Sequence, residues 1–252
     1  MEIYSFANRK GGVSKTSSVW AVGQLLAQAG HRVLLIDADA QASLTRCLPV
    51  VDSTKSLATV MDSKAQLLDV MQQVGEKLWL VAATEELVVA EKVLGADLAY
   101  PLFFKKAFKG LNKLVDYVLI DTPPAPSSPL TVAALTASTK VFVPTSPEVF
   151  SFDGVTSLLE LVAKVQDSYN PELEVGGVFL TKYSPTYRRG LHHAFVKKMR
   201  ERFGSLVMTT TIRENVAIPE AQVQRQSLQQ TAAGSNALID YTALTKEILS
   251  RQ

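Results

Sequence analysis

The sequence predicts a doubly wound α/β fold, in which a mostly parallel sheet carries helices on both faces. Short runs rich in Val, Ile, Leu and aromatic residues recur along the chain, and most are continuously apolar. Such runs are typical of strands that are buried on both faces of a parallel sheet. Segments with helical spacing separate them, and an alternation of strand and helix from end to end indicates a doubly wound arrangement.

The strands and helices can be placed in order along the chain. Between the strands, Thr16–Ala29 repeats its apolar residues with a helical period and is followed by Gly30, a common helix stop. Leu158–Val165 and Leu238–Leu249 show the same period. No linker or repeat interrupts the pattern, so we expect residues 1–252 to form a single domain. The predicted strands are Ile3–Ala7, Arg32–Asp37, Leu78–Ala82, Tyr117–Asp121, Lys140–Pro144, Val175–Leu180 and Leu206–Thr210.

Composition excludes several classes of protein. Apolar residues make up 47% of the chain, but no run approaches the about 20 apolar residues of a membrane-spanning helix. Met1–Ala7 is too short for a signal peptide and leads directly into a glycine-rich motif. The lone Cys47 excludes an internal disulfide framework and a multi-cysteine metal site. We therefore expect a reducing, cytoplasmic location.

Net charge is close to neutral, with 26 basic and 24 acidic side chains. A protein that binds nucleic acid through its overall charge is strongly basic. Any nucleic-acid surface on this chain must therefore be local.

A glycine-rich segment between the first strand and the first helix predicts a phosphate-binding loop. Glycines let successive backbone N–H groups converge on phosphate oxygens, and the helix that follows points its positive end at them. We expect Lys15 to reach the β- and γ-phosphates and the Thr16 hydroxyl to coordinate Mg²⁺. A solvated glycine turn is the alternative, and the Lys-Thr pair at the helix start argues against it. The predicted contacts are Lys10, Gly11, Gly12, Val13, Ser14, Lys15, Thr16 and Ser17.

This loop departs from the common phosphate-loop pattern, Gly-x-x-x-x-Gly-Lys-Thr, at Arg9 and Ser14, where that pattern has glycine. With Lys10 beside Arg9, it resembles the loop of the ParA/MinD family of deviant Walker-box ATPases, Lys-Gly-Gly-x-Gly-Lys-Thr. The resemblance implies a P-loop NTPase fold, ATP and Mg²⁺ as ligands, and a homodimer with ATP sandwiched between its subunits. It also implies that Lys10 reaches the nucleotide of the other subunit. Ser14 departs even from the family form.

Two acidic motifs follow strands. Asp37 and Asp39 lie at the end of the second predicted strand. Because the carboxyl ends of parallel strands meet at one edge of the sheet, we expect both acids to lie beside the phosphate loop. They resemble the family motif Asp-x-Asp-Pro-Gln, with Ala40 in place of proline, which implies that Asp39 orients the attacking water and Asp37 supports Mg²⁺. Caps for the next helix are the alternative. Asp121 ends an apolar strand before Pro123-Pro124, the Walker B pattern, and is predicted to hold Mg²⁺ through a bound water.

The carboxyl-terminal half continues the resemblance. The segment Ile212–Ala221 is similar to the family stretch Ile-Pro-Arg-Asn-Val-x-x-Ser-Glu-Ala, which implies that Arg213 and Asn215 help to enclose the adenine and ribose. Guanine-specific relatives carry the motif Asn/Thr-Lys-x-Asp after a strand, and its Asp binds the edge of the guanine base. Here Thr181-Lys182-Tyr183-Ser184 lacks that Asp, so adenine is favoured.

A cluster of basic residues in 182–202 contains a single acid, Glu201. On a helix from about Tyr187 to Phe203, Arg189, Lys197 and Arg200 share a face with His193, and such a face neutralises phosphates without selecting a sequence. A solvated helix face is an equal alternative. The family's Ser-Arg-Gly DNA contact corresponds here to Ser235-Asn236-Ala237, which would shift the contact to this cluster. The predicted DNA-binding residues are Lys182, Arg188, Arg189, Lys197, Lys198 and Arg200.

Three classes of function are consistent with these motifs. The resemblance favours a slow, partner-stimulated ParA-type ATPase that binds nonspecific DNA in its ATP state, is nucleoid-associated, and positions a plasmid, a chromosome origin or a protein assembly through a ParB-like adaptor. A MinD-like membrane-associated ATPase is the alternative, and the tail from Thr245 to Gln252 has few of the apolar residues that a membrane-inserting helix needs. An iron–sulfur reductase would need more cysteines than Cys47, whereas a ligase of the same fold stays open.

Overall fold

Eight strands pair into one sheet in the computed structural model, which describes residues 1–50, 52–125, 128–148, 151–188 and 190–251. Within these residues the chain also forms twelve α-helices. The strands are β1 Glu2–Phe6, β2 Val33–Asp37, β3 Gln72–Gly75, β4 Leu78–Val81, β5 Tyr117–Asp121, β6 Lys140–Thr145, β7 Glu174–Thr181 and β8 Val207–Ile212. The helices are α1 Lys15–Gln28, α2 Ser43–Arg46, α3 Leu57–Met61, α4 Leu67–Val70, α5 Leu87–Ala96, α6 Phe103–Ala107, α7 Pro129–Ala137, α8 Ser151–Ser168, α9 Gly190–Phe203, α10 Ala217–Gln224, α11 Leu228–Thr231 and α12 Asn236–Ser250.

The strand order is β3-β4-β2-β5-β1-β6-β7-β8. Every neighbouring pair is parallel except β3 and β4, which are antiparallel at one edge. The predicted doubly wound, mostly parallel α/β fold is therefore confirmed. The register places Phe6, Asp37 and Asp121 side by side, which brings the ends of the three central strands to one edge of the sheet.

The central strands form because nearly every residue in them is apolar and buried on both faces. Successive side chains of β2 alternate between the two layers of the core. Leu35 packs with Trp20 of α1 and Tyr241 of α12 on one face. Leu34 and Ile36 pack on the other face, in the layer that contains α5 and α7. Helices thus cover both faces of β2, which explains its uninterrupted apolar sequence.

The structure differs from the sequence prediction mainly where packing outweighs local pattern. β3 was not predicted, because its sequence Gln-Gln-Val-Gly is polar and it lies at the sheet edge, where only one neighbour supplies hydrogen bonds. The helix predicted over Leu158–Val165 extends across Ser151–Ser168. β8 continues past the predicted Thr210 to Ile212, because the threonines of this second edge strand can face solvent.

The carboxyl-terminal helix is packed against the body of the protein. Leu244 and Ile248 of α12 are fully buried in the same core layer as α1. The helix predicted over Leu238–Leu249 is therefore present and extends over Asn236–Ser250. No helix within the described residues is long and apolar enough to cross a membrane.

We expect Gly176→Ala to lower the free energy of unfolding by about 1–3 kcal/mol, the usual cost of overpacking a core. A Cβ atom at Gly176 in β7 would lie 2.6 Å from Cζ of Phe142, a fully buried ring that has no room to move away. Urea unfolding followed by circular dichroism measures the change. Gly190→Ala is the control, since its Cβ would meet nothing within 4 Å. Equal effects of the two substitutions would contradict this prediction.

Candidate nucleotide-binding site

The glycine-rich loop curls between β1 and α1 with left-handed backbone at alternate positions, φ +73° at Gly12 and +64° at Ser14. Alternation of this kind turns successive N–H groups toward one concave surface that suits an anion. Gly11 and Gly12 border open space. The Ser14 carbonyl accepts hydrogen bonds from N and Oγ of Ser18, at 3.0 and 2.7 Å, which begins α1 directly behind the loop.

Ser14 occupies the position at which the common pattern has glycine. The left-handed backbone at this position explains why glycine is common there. A left-handed conformation costs a residue with a Cβ roughly 1–2 kcal/mol relative to the right-handed one. Ser14 has the φ of +64° without a side-chain capping bond to α1. Serine in place of glycine therefore adds local backbone strain to the loop.

Lys15 lies over the loop in a mostly buried position, with 8% of its surface exposed. Its Nζ donates a long hydrogen bond of 3.4 Å to the carbonyl oxygen of Lys10. Burial lowers the pKa of Lys15, and the negative charges of Asp121 and Asp39 partly oppose that effect. The ammonium is thus desolvated and close to two carboxylates at the mouth of the loop.

Thr16 at the start of α1 and Asp121 at the end of β5 are in direct contact. The Thr16 hydroxyl donates to Oδ2 of Asp121 at 2.7 Å. Oδ1 of Asp121 is buried and has no hydrogen-bond partner among the residues that the structure describes. A hydroxyl beside a carboxylate oxygen that lacks a partner fits a hard divalent cation such as Mg²⁺, which prefers oxygen ligands.

Asp37 lies beside Asp121 on the neighbouring strand, but its oxygens are already engaged. Oδ2 accepts hydrogen bonds from N and Oγ1 of Thr45, at 2.8 and 2.7 Å, and Oδ1 accepts one from N of Asp39. Burial raises the pKa of both Asp37 and Asp121. The charge of Asp37 raises the pKa of Asp121 further, and the charge of Asp39 does the same for Asp37. The structure therefore brings the predicted Asp37 close to the cation position and orients it through Thr45.

Asp39 is the more exposed of the two acids that follow β2. Its Oδ1 accepts a hydrogen bond from N of Gln41 at 2.9 Å, and its negative charge acts on Lys15. No group of three or more His, Cys, Asp and Glu side chains that could hold a metal occurs in the described part of the chain. A cation here would complete its shell with water and phosphate oxygens, as Mg²⁺ commonly does.

Lys10 forms an ion pair within its own chain. Its Nζ donates to Oε2 of Glu148, which follows β6, at 2.5 Å. This hydrogen bond lowers the pKa of Glu148, and Ser146 and Lys182 contribute in the same direction. The Lys10 side chain is 24% exposed and that of Glu148 is 53% exposed, so the pair lies at the surface beside the loop.

Four residues to which the sequence analysis gave no contact at this site hold it together. Asn8 donates from Nδ2 to the carbonyl of Pro144 and accepts at Oδ1 from N of Lys10, which joins the loop to β6. Thr181 Oγ1, at the end of β7, lies 3.2 Å from the carbonyl oxygen of Val13. Thr45 donates two hydrogen bonds to Asp37. Gln222 donates from Nε2 to Oγ of Ser17 at the start of α1. A polar residue at the carboxyl end of a parallel strand is the signal that would have found Thr181.

Arg213 and Asn215, predicted to enclose the base and ribose, are engaged within the protein. Arg213 forms a bidentate ion pair with Asp240 of α12, with Nη2 to Oδ1 at 2.6 Å, and this contact raises its pKa. Asn215 Oδ1 accepts from N of Ala217 at the start of α10. Both lie just after β8, so they position the segment that leads into α10.

The basic cluster is only partly helical. α9 begins at Gly190 instead of Tyr187, because Tyr187 and Thr186 close a turn on the backbone and the hydroxyl of Ser184. Lys182 and Arg188 are exposed in the preceding loop, and Arg189 lies outside the described residues. Lys197 and Arg200 are exposed on α9 and border one surface with His193, as predicted, whereas Lys198 faces another.

We expect Ser14→Gly to stabilise the protein by up to about 1 kcal/mol, because glycine relieves the left-handed strain at this position. Ser157→Gly in the middle of α8 is the matched control, and we expect it to destabilise by about 0.5–1 kcal/mol. Urea unfolding of the ligand-free protein compares the two variants. A loss of stability at Ser14 equal to that at Ser157 would show that the loop carries no such strain.

Folding raises the pKa of the Asp37 and Asp121 carboxyls, so each binds its proton more tightly in the folded state. We therefore expect the ligand-free protein to lose stability as the pH rises from about 5 toward 8. Asp121→Asn should remove much of this dependence. Asp116→Asn is the opposite control, because Arg32 lowers the pKa of Asp116 to about 2, so its stabilisation is present above the ordinary carboxyl pKa and is lost in acid. Thermal unfolding across the acid and neutral pH range measures the stability of both variants. An unchanged pH dependence in Asp121→Asn would contradict the attribution of the loss to the Asp121 carboxyl.

Comparison with known proteins agrees with this geometry. A family model described as "AAA domain" matches residues 1–175. The chain is 34% identical to the chromosome partitioning protein ParA of Caulobacter vibrioides over 260 residues, covering 100% of this chain and 95% of that protein. It is 30% identical to the sporulation initiation inhibitor protein Soj of Bacillus subtilis over 250 residues, covering 98% of each.

A solved structure shares the whole fold. It is that of cobyrinic acid a,c-diamide synthase from Mycobacterium smegmatis with bound ATP analog and magnesium, 27% identical, with a TM-score of 0.85 and coverage of 99% of this chain and 94% of that one. The loop motif, the two acidic motifs and the relatives that span nearly the whole chain lead to one conclusion. This chain belongs to the ParA/Soj family of P-loop ATPases.

Proposed function

We propose that this chain is a positioning ATPase that hydrolyses ATP slowly, binds DNA nonspecifically as an ATP-bound dimer, and moves a cargo through a ParB-like adaptor that stimulates hydrolysis. The observation that carries the proposal is the convergence of Lys15, Thr16, Asp39 and Asp121 at the carboxyl ends of β1, β2 and β5. Relatives named for chromosome partitioning support the choice of cargo class. Such a protein acts in the cytoplasm, on the nucleoid.

The loop and its neighbours suit phosphoryl transfer, which depends mostly on positioning and charge stabilisation. Backbone N–H groups from Gly11 to Thr16 and the ammonium of Lys15 hold the β- and γ-phosphates. Thr16 and Asp121 would hold Mg²⁺, which when bound neutralises charge on these phosphates, and the solved structure with ATP analog and magnesium supports both ligands. Asp39 accepts a hydrogen bond from the attacking water and orients it.

Lys10 gives the dimer its dependence on ATP. An exposed ion pair such as Lys10–Glu148 contributes at most about 1 kcal/mol, so the ammonium can exchange Glu148 for the phosphates of the other subunit at little cost. Adenine and ribose would lie against the segment that carries Arg213 and Asn215. ATP then serves as the signal for assembly as well as the substrate.

Nonspecific DNA binding would use the exposed basic residues around α9. Each phosphate contact adds salt-sensitive affinity without selecting a sequence. Two subunits present two such surfaces, so dimerisation adds avidity on a duplex. The proposed contacts are Lys182, Arg188, Arg189, Lys197, Lys198 and Arg200.

The direct test is DNA binding measured with ATP and with ADP. We expect ATP to strengthen binding, and Asp39→Ala to hold the protein in the DNA-bound state because hydrolysis is lost. Lys197→Glu with Arg200→Glu should weaken binding and reduce the slope of log affinity against log salt by about 1 for each contact removed. Lys106→Glu with Lys109→Glu, at two exposed lysines that precede β5, is the charge-matched control. Equal binding with ATP and ADP would overturn the proposed switch.

Two other classes of function, a membrane-associated ATPase and a ligase, can be distinguished from the positioning ATPase by measurements made in parallel. A MinD-like membrane ATPase would float with anionic liposomes when ATP is present and would not shift DNA. The name of the solved structure from Mycobacterium smegmatis, a diamide synthase, is the reason to test for a ligase as well. It would form ADP in proportion to an amide product and would not respond to DNA.

A further inference from the structure

The turn that follows β2 is closed by hydrogen bonds between its two ends. β2 ends at Asp37, and Thr45 lies eight residues later, in α2. Oδ2 of Asp37 accepts hydrogen bonds from N and Oγ1 of Thr45, at 2.8 and 2.7 Å. These two bonds bring the chain back to the end of the strand. The segment between them, which contains Asp39, is called here the Asp37–Thr45 loop.

Asp39 is held within this loop through both its backbone and its side chain. Its N donates to Oδ1 of Asp37 at 3.2 Å, and its carbonyl oxygen accepts from N of Ala42 at 2.8 Å. Oδ1 of Asp39 accepts from N of Gln41 at 2.9 Å. The first of these contacts ties the backbone of Asp39 to the carboxylate that Thr45 holds. The position of the Asp39 carboxylate therefore depends on Asp37.

The Asp37 carboxylate has little capacity left for a cation. Each carboxylate oxygen has about two lone pairs that can accept hydrogen bonds. Both on Oδ2 of Asp37 are taken by Thr45, and Oδ1 already accepts from N of Asp39. Asp121 differs, because its buried Oδ1 has no hydrogen-bond partner among the residues that the structure describes. The free oxygen of Asp121 suits a cation, whereas the oxygens of Asp37 are used within the loop.

Thr45 also joins the loop to a second strand. Its Oγ1 accepts a hydrogen bond at 2.9 Å from N of Ala83, two residues after the end of β4. Ala83 is buried, so this N–H depends on the hydroxyl for a partner. One hydroxyl thus donates to Asp37 at the end of β2 and accepts from the segment after β4, the neighbouring strand. Loss of the hydroxyl would release the loop from both.

We propose that Thr45 is a positioning residue for ATP hydrolysis, which holds Asp37 and, through Asp37, the backbone of Asp39. Asp37 then acts as a hydrogen-bond acceptor within the loop, and the cation is left to Thr16 and Asp121. The inference rests on the proposed function, since it requires that Asp39 orients the attacking water. Such a step is sensitive to position, because a displacement of about 1 Å can lower a rate about 100-fold.

The test compares Thr45→Val, which keeps the shape of the side chain without its hydroxyl, with Thr45→Ser, which keeps the hydroxyl. We expect Thr45→Val to lower kcat for ATP hydrolysis about tenfold or more, because Asp39 is no longer fixed. KM for ATP should stay within about twofold, as for an interaction that acts only in the transition state. Thr45→Ser should keep most of the wild-type kcat.

Two further measurements do not depend on hydrolysis. In the ligand-free protein, the amide hydrogen of Asp39 should exchange about tenfold faster in Thr45→Val than in Thr45→Ser, because the closed loop loses a hydrogen bond to a charged group. Mg²⁺ titrated into the ADP complex should bind the two variants with affinities within about twofold, since other residues hold the cation. Thr245→Val is the control, because it removes a buried hydroxyl that donates within α12 to the carbonyl of Tyr241, and it should change neither kcat nor exchange at Asp39.

Other outcomes separate the possibilities. An unchanged kcat in Thr45→Val, or an equal loss of kcat in Thr45→Ser, would overturn the inference and leave the proposed function standing. A fall in Mg²⁺ affinity of about tenfold or more in Thr45→Val, the usual effect of losing a partner of a metal ligand, would also overturn it. A selective loss of kcat without ATP-dependent DNA binding would support the inference and reject the proposed switch, whereas no hydrolysis by the wild type would reject both. Circular dichroism confirms that each variant is folded, and Thr45→Ala, with the same expected results, replaces Thr45→Val if that variant is unfolded.

Discussion

The side-by-side burial of Asp37 and Asp121 is the constraint on which the site depends. Parallel pairing of β2 and β5 in register places the two carboxyls together at the sheet edge, where neither is exposed. Burial removes both carboxyls from water, which is the main reason why folding raises the pKa of each, and the charge of Asp37 raises that of Asp121 further. The arrangement is unfavourable for the empty protein and favourable for one that binds a cation.

The surrounding residues limit that cost without removing it. Thr45 donates two hydrogen bonds to Asp37, and its hydroxyl also accepts from N of Ala83, so β2 and β4 are tied at their ends. Thr16 donates to one oxygen of Asp121 and leaves the other without a partner. Hydrogen bonds thus hold the carboxyls of the site in place, while Oδ1 of Asp121 lacks a hydrogen-bond partner among the described residues. Binding sites held in this way gain affinity because little is left to order when the ligand arrives.

The same edge of the sheet connects the loop to the protein surface. Asn8 links the loop to β6, and Lys10 reaches the segment after β6 through Glu148. That segment leads toward α8, and the loop after β7 leads into α9. The phosphate loop and the exposed basic residues around α9 therefore lie on neighbouring elements of the sheet edge.

The sequence by itself determined the fold class and the positions of the chemical groups. Continuous apolar runs such as Leu34–Ile36 indicate strands covered on both faces, and a glycine-rich loop that leads into Lys-Thr at a helix start indicates phosphate binding. Local patterns are sufficient for such features, because they depend on neighbours in the chain. The same patterns missed β3, whose edge pairing depends on β4, and the roles of Thr45 and Thr181, which depend on residues far along the chain. Only the tertiary structure decided that Asp121 keeps a buried oxygen without a partner, that Lys10 pairs with Glu148, and that α9 has an apolar side, because each follows from packing between distant segments.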